Sequence, residues 1–518
     1  MLDVLLIYAP VAVPSEPPLG VASLAAFLRE GGISCEVLDL NVEAFARLLS
    51  PDFPSPDAGD RFTLRSLRAL GALIPAIKST TITRSLQRYK FAVSHLQRVL
   101  WLRTKMAGGP LFTFTDLRHP ELSPLRSQDL HRMARDGSMG PIGEWMESRV
   151  LEVVRSLRPK WVGFSVQYLS QALPSMALAG ALHRCVPGVR VVMGGGLITT
   201  WARVGRLPDL RPWVQCLIPG RGERALARLL GRGSQEGAGD GRLLPRFRGF
   251  PLGKYFSPEP ILPMATSRGC YWGRCRFCPE ADGGESFQSI PPVEIPWRME
   301  KLASRYSARW LHLTDNAIPT PTLQTLARSP IDIPWFGFAR LEAPLTRQEL
   351  ARGLYRSGCR MLQLGLESGS PSTLSRLRKG ITLQVASRAL RVLREEGVAT
   401  YVYLLFGTPG ETIDDLKMTT EFVCENAPWI DYLHCSILNL PREEANSLDL
   451  DVREFSGGDP EDLSLYVDFR ARSGLNRKDA RRFLEKEFSK EPKIRSIIKR
   501  DPPCFGACHA ALLACGRA

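Results

Sequence analysis

Apolar positions in this chain fall into short dense runs separated by longer stretches with helical spacing. Residues 4–8, Val-Leu-Leu-Ile-Tyr, predict a strand, and 20–28 a helix with one apolar face, ended by Gly31 and Gly32. Residues 35–40 give the next strand. The alternation resumes at 161–166 and continues through a helix at 171–185, strands at 190–193 and 215–218, and a helix at 223–230. Five such strands alternating with helices predict a parallel, doubly wound sheet whose ligands lie at the carboxyl ends of the strands.

A second alternating region starts near 261. Strands are expected at 310–313, 335–338, 361–364, 401–406 and 432–437, separated by helices at 293–306, 321–327, 347–357, 383–396 and 412–426. This is the pattern of a full or partial β/α barrel, with its site where strands run into loops. Residues from about 45 to 150 interrupt the first pattern. A proline-rich patch at 51–56 precedes a basic helical run with Arg65, Arg68, Lys78, Arg84, Arg88, Lys90, Arg98 and Arg103, and a solvated face is the ordinary account of such charges. The glycine-rich 231–241 marks a linker, and the tail from about 446 reads as charged and helical. The expected organisation is a first domain at 1–245 carrying the helical insertion, a barrel at 255–445, and a small helical extension at 446–518 with a cysteine-containing tail.

At 518 residues the chain exceeds one ordinary core, and 44% hydrophobic with 23% charged residues is a globular composition. No apolar run reaches the ~18 residues a membrane span needs. The amino terminus places Asp3 where a leader would be basic, so a cytoplasmic protein is expected. Twelve cysteines without export features point to reduced thiols and metal binding rather than disulfides. The net charge of +15 comes with no RNA-binding motif, so a nucleic-acid partner is not expected.

The sharpest chemical signal is Cys270, Cys275 and Cys278, spaced C-x4-C-x2-C. Thiolates at this spacing can wrap one corner of an iron–sulfur cube and leave one iron open. A structural zinc site wants four ligands, and the nearest other cysteines are Cys216 and Cys359, with His312 the nearest histidine. A zinc knuckle or a set of redox thiols is the competing reading.

With Phe277 just before the last cysteine, this motif resembles that of the radical S-adenosylmethionine (SAM) superfamily, whose usual spacing, C-x3-C-x2-C, is one residue shorter. The resemblance implies that the three cysteines hold a 4Fe–4S cluster whose open iron chelates SAM. An electron passed to the sulfonium then yields a 5′-deoxyadenosyl radical. Gly365-Leu366-Glu367-Ser368-Gly369-Ser370 resembles the family's fourth-strand G-x-E-S-G-S segment, whose carboxylate meets SAM. Gly407-Thr408-Pro409-Gly410-Glu411-Thr412 resembles its G-x-P-G-E-T turn near the adenine. Arg340 stands where many relatives place an arginine near the SAM carboxylate, and Asp315 ends the second strand at the same mouth. A plain ion pair between Glu367 and Arg340 is the structural alternative.

The first domain is similar to the Rossmann-like (flavodoxin-like) cobalamin-binding domain found ahead of many such barrels, followed here by a partial (β/α)6 TIM-type barrel. The similarity rests on residues 6–10, on 17–20 ending in Gly20, on 37–41 ending in Asn41, on Gly194 and Gly195, and on Gly220, with Ser165 at the end of the third strand. Glycine at such turns lets backbone approach a flat corrin. Asp39-Leu40-Asn41 stands where a D-x-H segment would put histidine on cobalt, which implies a histidine-off cobalamin. A sheet that binds nothing is the alternative. Cys504, Cys508, His509 and Cys515 form a last cysteine cluster, read as a second ligand set or as incidental tail thiols.

The resemblance implies a cobalamin-dependent radical SAM enzyme methylating an unactivated carbon in a natural product, peptide, lipid or tetrapyrrole, with an electron donor such as flavodoxin or ferredoxin. A non-methylating cyclase or rearranging enzyme uses the same features. An RNA-modifying methylthiotransferase would carry three further cluster cysteines where this chain has only the scattered Cys35, Cys185 and Cys216. A non-catalytic cobalamin or iron–sulfur binding protein is the alternative of another class.

Overall fold

The computed structural model describes residues 2–231, 243–280, 286–442, 452–454, 461–471 and 473–516. It divides into two compact units: residues 1–260 with 459–465 and 503–508, and residues 261–458 with 466–502 and 509–518. Apart from Gly231, the predicted linker lies outside the described residues.

In the first unit, β1 (Val4–Ile7), β2 (Cys35–Leu38), β3 (Trp161–Ser165), β4 (Arg190–Gly194) and β5 (Cys216–Ile218) form one parallel sheet in the order 2-1-3-4-5. β1 is buried along its length, as an apolar strand between two helical layers must be. Helix α1 (Leu19–Glu30) stops where Gly31 caps it and Gly32 turns left-handed at φ 69°. Helix α2 (Leu40–Leu48) starts on the Asp39 side chain, which accepts the Val42 N–H.

Between α2 and β3 the insertion holds α3 (Arg61–Ile77), α4 (Leu86–Thr104), α5 (Ser127–Asp136) and α6 (Gly140–Leu157), the last leading into β3. Its basic run is not wholly solvated. Arg103 is 2% exposed and donates to the Leu48 and Ser50 carbonyls at 2.6 Å each, fastening the insertion to the end of α2. Helices α7 (Ala172–Cys185), α8 (Gly196–Arg203) and α9 (Gly222–Leu229) complete the unit. Strand order reverses between β1 and β3, so the crevice of this sheet opens where those two strands end.

The second unit is a six-stranded parallel sheet in sequential order: β6 (Ile261–Met264), β7 (Trp310–Leu313), β8 (Trp335–Ala339), β9 (Cys359–Glu367), β10 (Ala399–Phe406) and β11 (Tyr432–Ile437). That is a partial β/α barrel. Its connecting helices are α10 (Ile295–Tyr306), α11 (Thr320–Arg328), α12 (Gln348–Arg356), the short α13 (Pro371–Arg376), α14 (Leu383–Glu395) and α15 (Ile413–Asn426). Helix α13, which the apolar spacing does not predict, is begun by Ser370, whose side chain accepts the Thr373 N–H.

The tail is not simply helical. Val452–Glu454 pairs with Phe469–Ala471, and Leu440–Pro441 with Tyr466–Val467, ahead of α16 (Arg477–Lys486), α17 (Pro492–Ile498) and α18 (His509–Gly516). Its first residues, 446–451, lie outside the described residues. No described helix is long and apolar enough to cross a membrane.

Candidate functional site

The cysteine loop leaves β6 through Ser267–Arg268, which pairs antiparallel with Gln288–Ser289. Gly269 (φ 71°) and Gly273 (φ 54°) turn the loop back on itself in conformations that favour glycine. Asp315, just past β7 and 2% exposed, accepts the Thr266 N–H at 3.0 Å, the Thr266 hydroxyl at 2.8 Å and the Ser267 hydroxyl at 2.5 Å. Burial raises its pKa while those bonds oppose the rise. Asp315 is expected from the sequence to face a cofactor. The structure places it at the base of the cysteine loop, with both oxygens engaged there.

The far side of the loop rests on the segment after α13. Trp272 donates its Nε1–H to the Arg378 carbonyl at 3.0 Å, and the Arg276 N–H reaches the Leu377 carbonyl at 3.1 Å. Gly380 (φ 68°) lies under the Trp272 ring, and a Cβ there would stand 2.1 Å from it. Arg340 is buried with its guanidinium 4.3 Å from the Trp272 ring centroid and Nη1 4.0 Å from Cys275 Sγ. It donates to the Lys379 carbonyl at 2.6 Å and to Glu342 Oε1 at 2.8 Å.

Lys379 Nζ in turn pairs with Glu367 Oε1 at 2.9 Å and lies 5.7 Å from the centroid of Phe277, which packs against Leu438, Leu440 and Phe469. A Cβ on Gly365 would come within 2.6 Å of the Glu367 carboxylate and 2.8 Å of Lys379 Nζ, so a side chain there would push these two flexible ends aside. The sequence alternative of a Glu367–Arg340 pair is thus not what forms; each takes another partner.

Cys270 and Cys278 are half-buried, and Cys275 is buried. Burial pushes the Cys278 thiol up to about 12 and also raises Cys275, where Lys379 and Arg340 work in the opposite direction. Among the described residues no three His, Cys, Asp or Glu side chains converge on a single-ion position. A cube does not require that, because each thiolate takes a different iron.

Ser368 is fully buried and bonds to Thr419 Oγ1 (3.0 Å), holding the strand end rather than facing the barrel mouth. In the following turn Gly407 has φ 73°, Pro409 is buried, and the buried Glu411 accepts the Gly407 and Thr408 N–H groups at 2.6 and 3.2 Å.

On the strand face that carries Glu367, Gln363 donates Nε2–H to the Tyr403 hydroxyl at 3.0 Å. Its Oε1 is buried without a partner. His434, paired in register with Tyr403, is exposed although it sits within β11, and its ring lies 5.1 Å from that of Tyr403. Partial desolvation against its strand neighbours lowers its pKa, while Asp501 and Glu367 oppose the shift. At the base of this face Tyr401 stacks on His509, which contacts Asp501 at 3.1 Å.

In the first unit, Ser165 pairs with Gly194 at the carboxyl end of the sheet. Gly195 (φ 108°) has no room for a Cβ, which would lie 2.5 Å from the Val166 carbonyl oxygen. That glycine therefore serves the chain's own packing. At Gly20 and Gly220, by contrast, a Cβ would meet nothing within 4 Å. Asn41 is 2% exposed and engaged on both sides with Ala12, accepting its N–H at 2.9 Å and donating to its carbonyl at 3.1 Å.

Two residues unremarked in the sequence complete the rim. Gln171 is fully buried, donating to the Ala9 carbonyl at 2.7 Å and accepting the Gln167 and Tyr168 N–H groups. Tyr255 donates to Asp39 at 2.5 Å, and burial lifts Asp39 to about 6. Both loops at the crevice are thus pinned from beneath. Of the tail cysteines, Cys504 accepts from Gln97 Nε2 at 3.1 Å and the buried Cys508 faces the Phe256 carbonyl. The Cys515 side chain lies outside the described residues.

Residues 264–423 match the family model described as the Radical SAM superfamily. An uncharacterized methyltransferase of Pyrococcus horikoshii is 22% identical over 313 residues, 53% of this chain and 66% of the relative. The anaerobic magnesium-protoporphyrin IX monomethyl ester cyclase of Rubrivivax gelatinosus is 21% identical over 333 residues, 55% of this chain and 58% of the relative. The chain therefore spans less than two thirds of the length of these curated relatives. Among solved structures, the radical SAM methyltransferase TsrM of Kitasatospora setae, with cobalamin and a 4Fe–4S cluster bound, is similar at a TM-score of 0.54 and 16% identity, over 97% of this chain and 92% of that one. Residues 264–423 thus match the Radical SAM superfamily model, and the fold of the chain is similar to that of a solved radical SAM methyltransferase with cobalamin bound.

Proposed function

We propose that the chain is a cobalamin-dependent radical SAM enzyme that methylates an unactivated carbon in a small molecule or peptide. The observation that carries this is the cysteine loop, fixed at its base by Asp315 and along its side by Trp272, with Arg340, Lys379 and Glu367 beside it. When bound there, the cluster would supply SAM with an electron, and a cobalamin at the crevice of the first sheet would carry the methyl group.

Cys270, Cys275 and Cys278 would hold the cluster. Glu367, Lys379 and Arg340 would orient the amino and carboxylate ends of SAM, and the turn containing Gly407 and Pro409 its adenine. Gly20 and Gly220, where a Cβ would meet nothing, leave space for a corrin. The donor of electrons would be a flavodoxin or ferredoxin.

Anaerobic reconstituted protein should consume SAM and yield both 5′-deoxyadenosine and S-adenosylhomocysteine. Cys275→Ala should lose the bound iron and the first product. Formation of 5′-deoxyadenosine without S-adenosylhomocysteine would remove methyl transfer and leave a cyclase or rearrangement, which the similarity to the anaerobic cyclase of Rubrivivax gelatinosus favours as the second reading. Neither product, with iron and corrin retained, would leave a binding protein.

A further inference from the structure

Charge is unevenly spread along the first unit. Residues 61–115 contain ten lysines and arginines and no aspartate or glutamate, so this stretch carries ten of the chain's fifteen net positive charges. It comprises α3, α4 and the turns after each. The surface it presents is not simply polar. Phe62 on α3 and Phe91 on α4 are 44% and 49% exposed, and both rings rest on His95, at centroid distances of 4.6 and 4.1 Å.

Each phenylalanine has an exposed arginine three residues away on its own helix, Arg65 after Phe62 and Arg88 before Phe91. Residues at that spacing are neighbours on a helix surface. The carboxylate of Asp60, at the start of α3, is engaged with Thr63 and Arg98. The result is an apolar pair of rings with an exposed arginine at neighbouring spacing on each helix.

We propose that the α3–α4 hairpin docks on an anionic lipid bilayer, with Phe62 and Phe91 at the headgroup–acyl boundary and Arg61, Arg65, Arg84 and Arg88 on lipid phosphates. Arginine on the polar side and phenylalanine at the contact is the composition of interfacial helices. A continuous positive field attracts an anionic membrane surface from a distance. A bilayer fits better than a nucleic acid because both rings already lean on His95 at a tilt, which leaves less open ring face for bases to stack on. The proposal is independent of SAM chemistry.

The test is flotation of the full chain with vesicles of phosphatidylcholine, with and without phosphatidylglycerol. Binding should require the anionic lipid and fall steeply between ~0.1 and ~1 M salt as charges are screened. Phe62→Ser with Phe91→Ser, and separately Arg65→Gln with Arg88→Gln, should each lower the bound fraction about tenfold while circular dichroism and thermal melting stay as in the wild type. Equal binding to neutral vesicles, no binding, or indifference to both pairs of substitutions overturns the proposal. So does retention of an RNA oligonucleotide or acidic polypeptide by this surface while vesicles are ignored.

Discussion

Replacing Glu411 by glutamine should stabilise the protein increasingly as the pH rises. The carboxylate is 1% exposed and accepts the Gly407 and Thr408 N–H groups on one oxygen. Burial outweighs those two bonds and lifts its pKa from 4.5 to about 7. Between these values the folded chain keeps a proton that the unfolded chain has released. Stability therefore declines as the pH rises through the window and levels off above it.

A rise of ~2.5 pH units at ~1.4 kcal/mol each sets the full penalty at ~3.4 kcal/mol. Nearby Asp415 does not titrate in this window. Burial alone would raise it, but hydrogen bonds from Ser370, Ser372 and Thr412 hold it below the usual carboxylate range. The glutamine oxygen can accept both N–H groups and carries no charge to bury. The advantage of the variant should thus grow from under ~1 kcal/mol near pH 5 to ~3 kcal/mol near pH 8. Chemical denaturation of both proteins at each pH measures it, and the difference cancels every titration the two share. A pH-independent difference would refute the reasoning, because it would mean that Glu411 is ionised throughout.

Gly380→Ala should displace Trp272, whose ring leaves 2.1 Å for the new methyl at a left-handed φ of 68°. A cost of ~2–4 kcal/mol and a loss of iron on reconstitution are expected, read by melting and by metal analysis. Tyr403→Phe removes the hydroxyl that accepts from Gln363, leaving a buried amide unpaired at ~1–3 kcal/mol. Product formation should fall more than 5′-deoxyadenosine release, since the hydroxyl lies on the barrel face and not at the cysteine loop.

The architecture was legible because strand and helix alternate with few interruptions, and parallel strands buried on both sides announce themselves as apolar runs. The cysteine spacing and the Glu367 and Gly407 segments were legible for a different reason: each is local. What escaped was made by distant partners. Lys379 lies beyond a short helix that no apolar spacing marks, so its meeting with Glu367 depends on α13 existing at all. Asp315 reads as a free carboxylate at a strand end until Thr266 and Ser267 are brought to it from the neighbouring strand. Gln171 and Tyr255 work through single hydrogen bonds to loops far away in sequence, and residue type alone does not announce that. Glycines divided in an unexpected way: Gly195 is required by the Val166 backbone, whereas a Cβ at Gly20 or Gly220 would meet nothing within 4 Å.

The Lys379–Glu367 pair offers a way to separate what holds the site together from what the site does. Both side chains are largely buried, at 8% and 12% exposure, and the ammonium also lies over Phe277. Removing one partner from such a pair leaves a charge with no counter-ion, at ~3 kcal/mol or more. Lys379→Met should therefore destabilise the protein strongly. Glu367→Gln added to it removes the orphaned charge, and an uncharged pair in the same space should recover most of the loss. SAM binding should follow another course. If the carboxylate meets the amino group of SAM, the double variant stays as poor a binder as the single one, despite its recovered stability. Melting temperatures and calorimetric titration with SAM, on the same anaerobic preparations, read the two quantities independently. A double variant as unstable as the single one would show that the pair is not a buried charge balance. A double variant that recovers SAM affinity along with stability would show that Glu367 acts only through the fold.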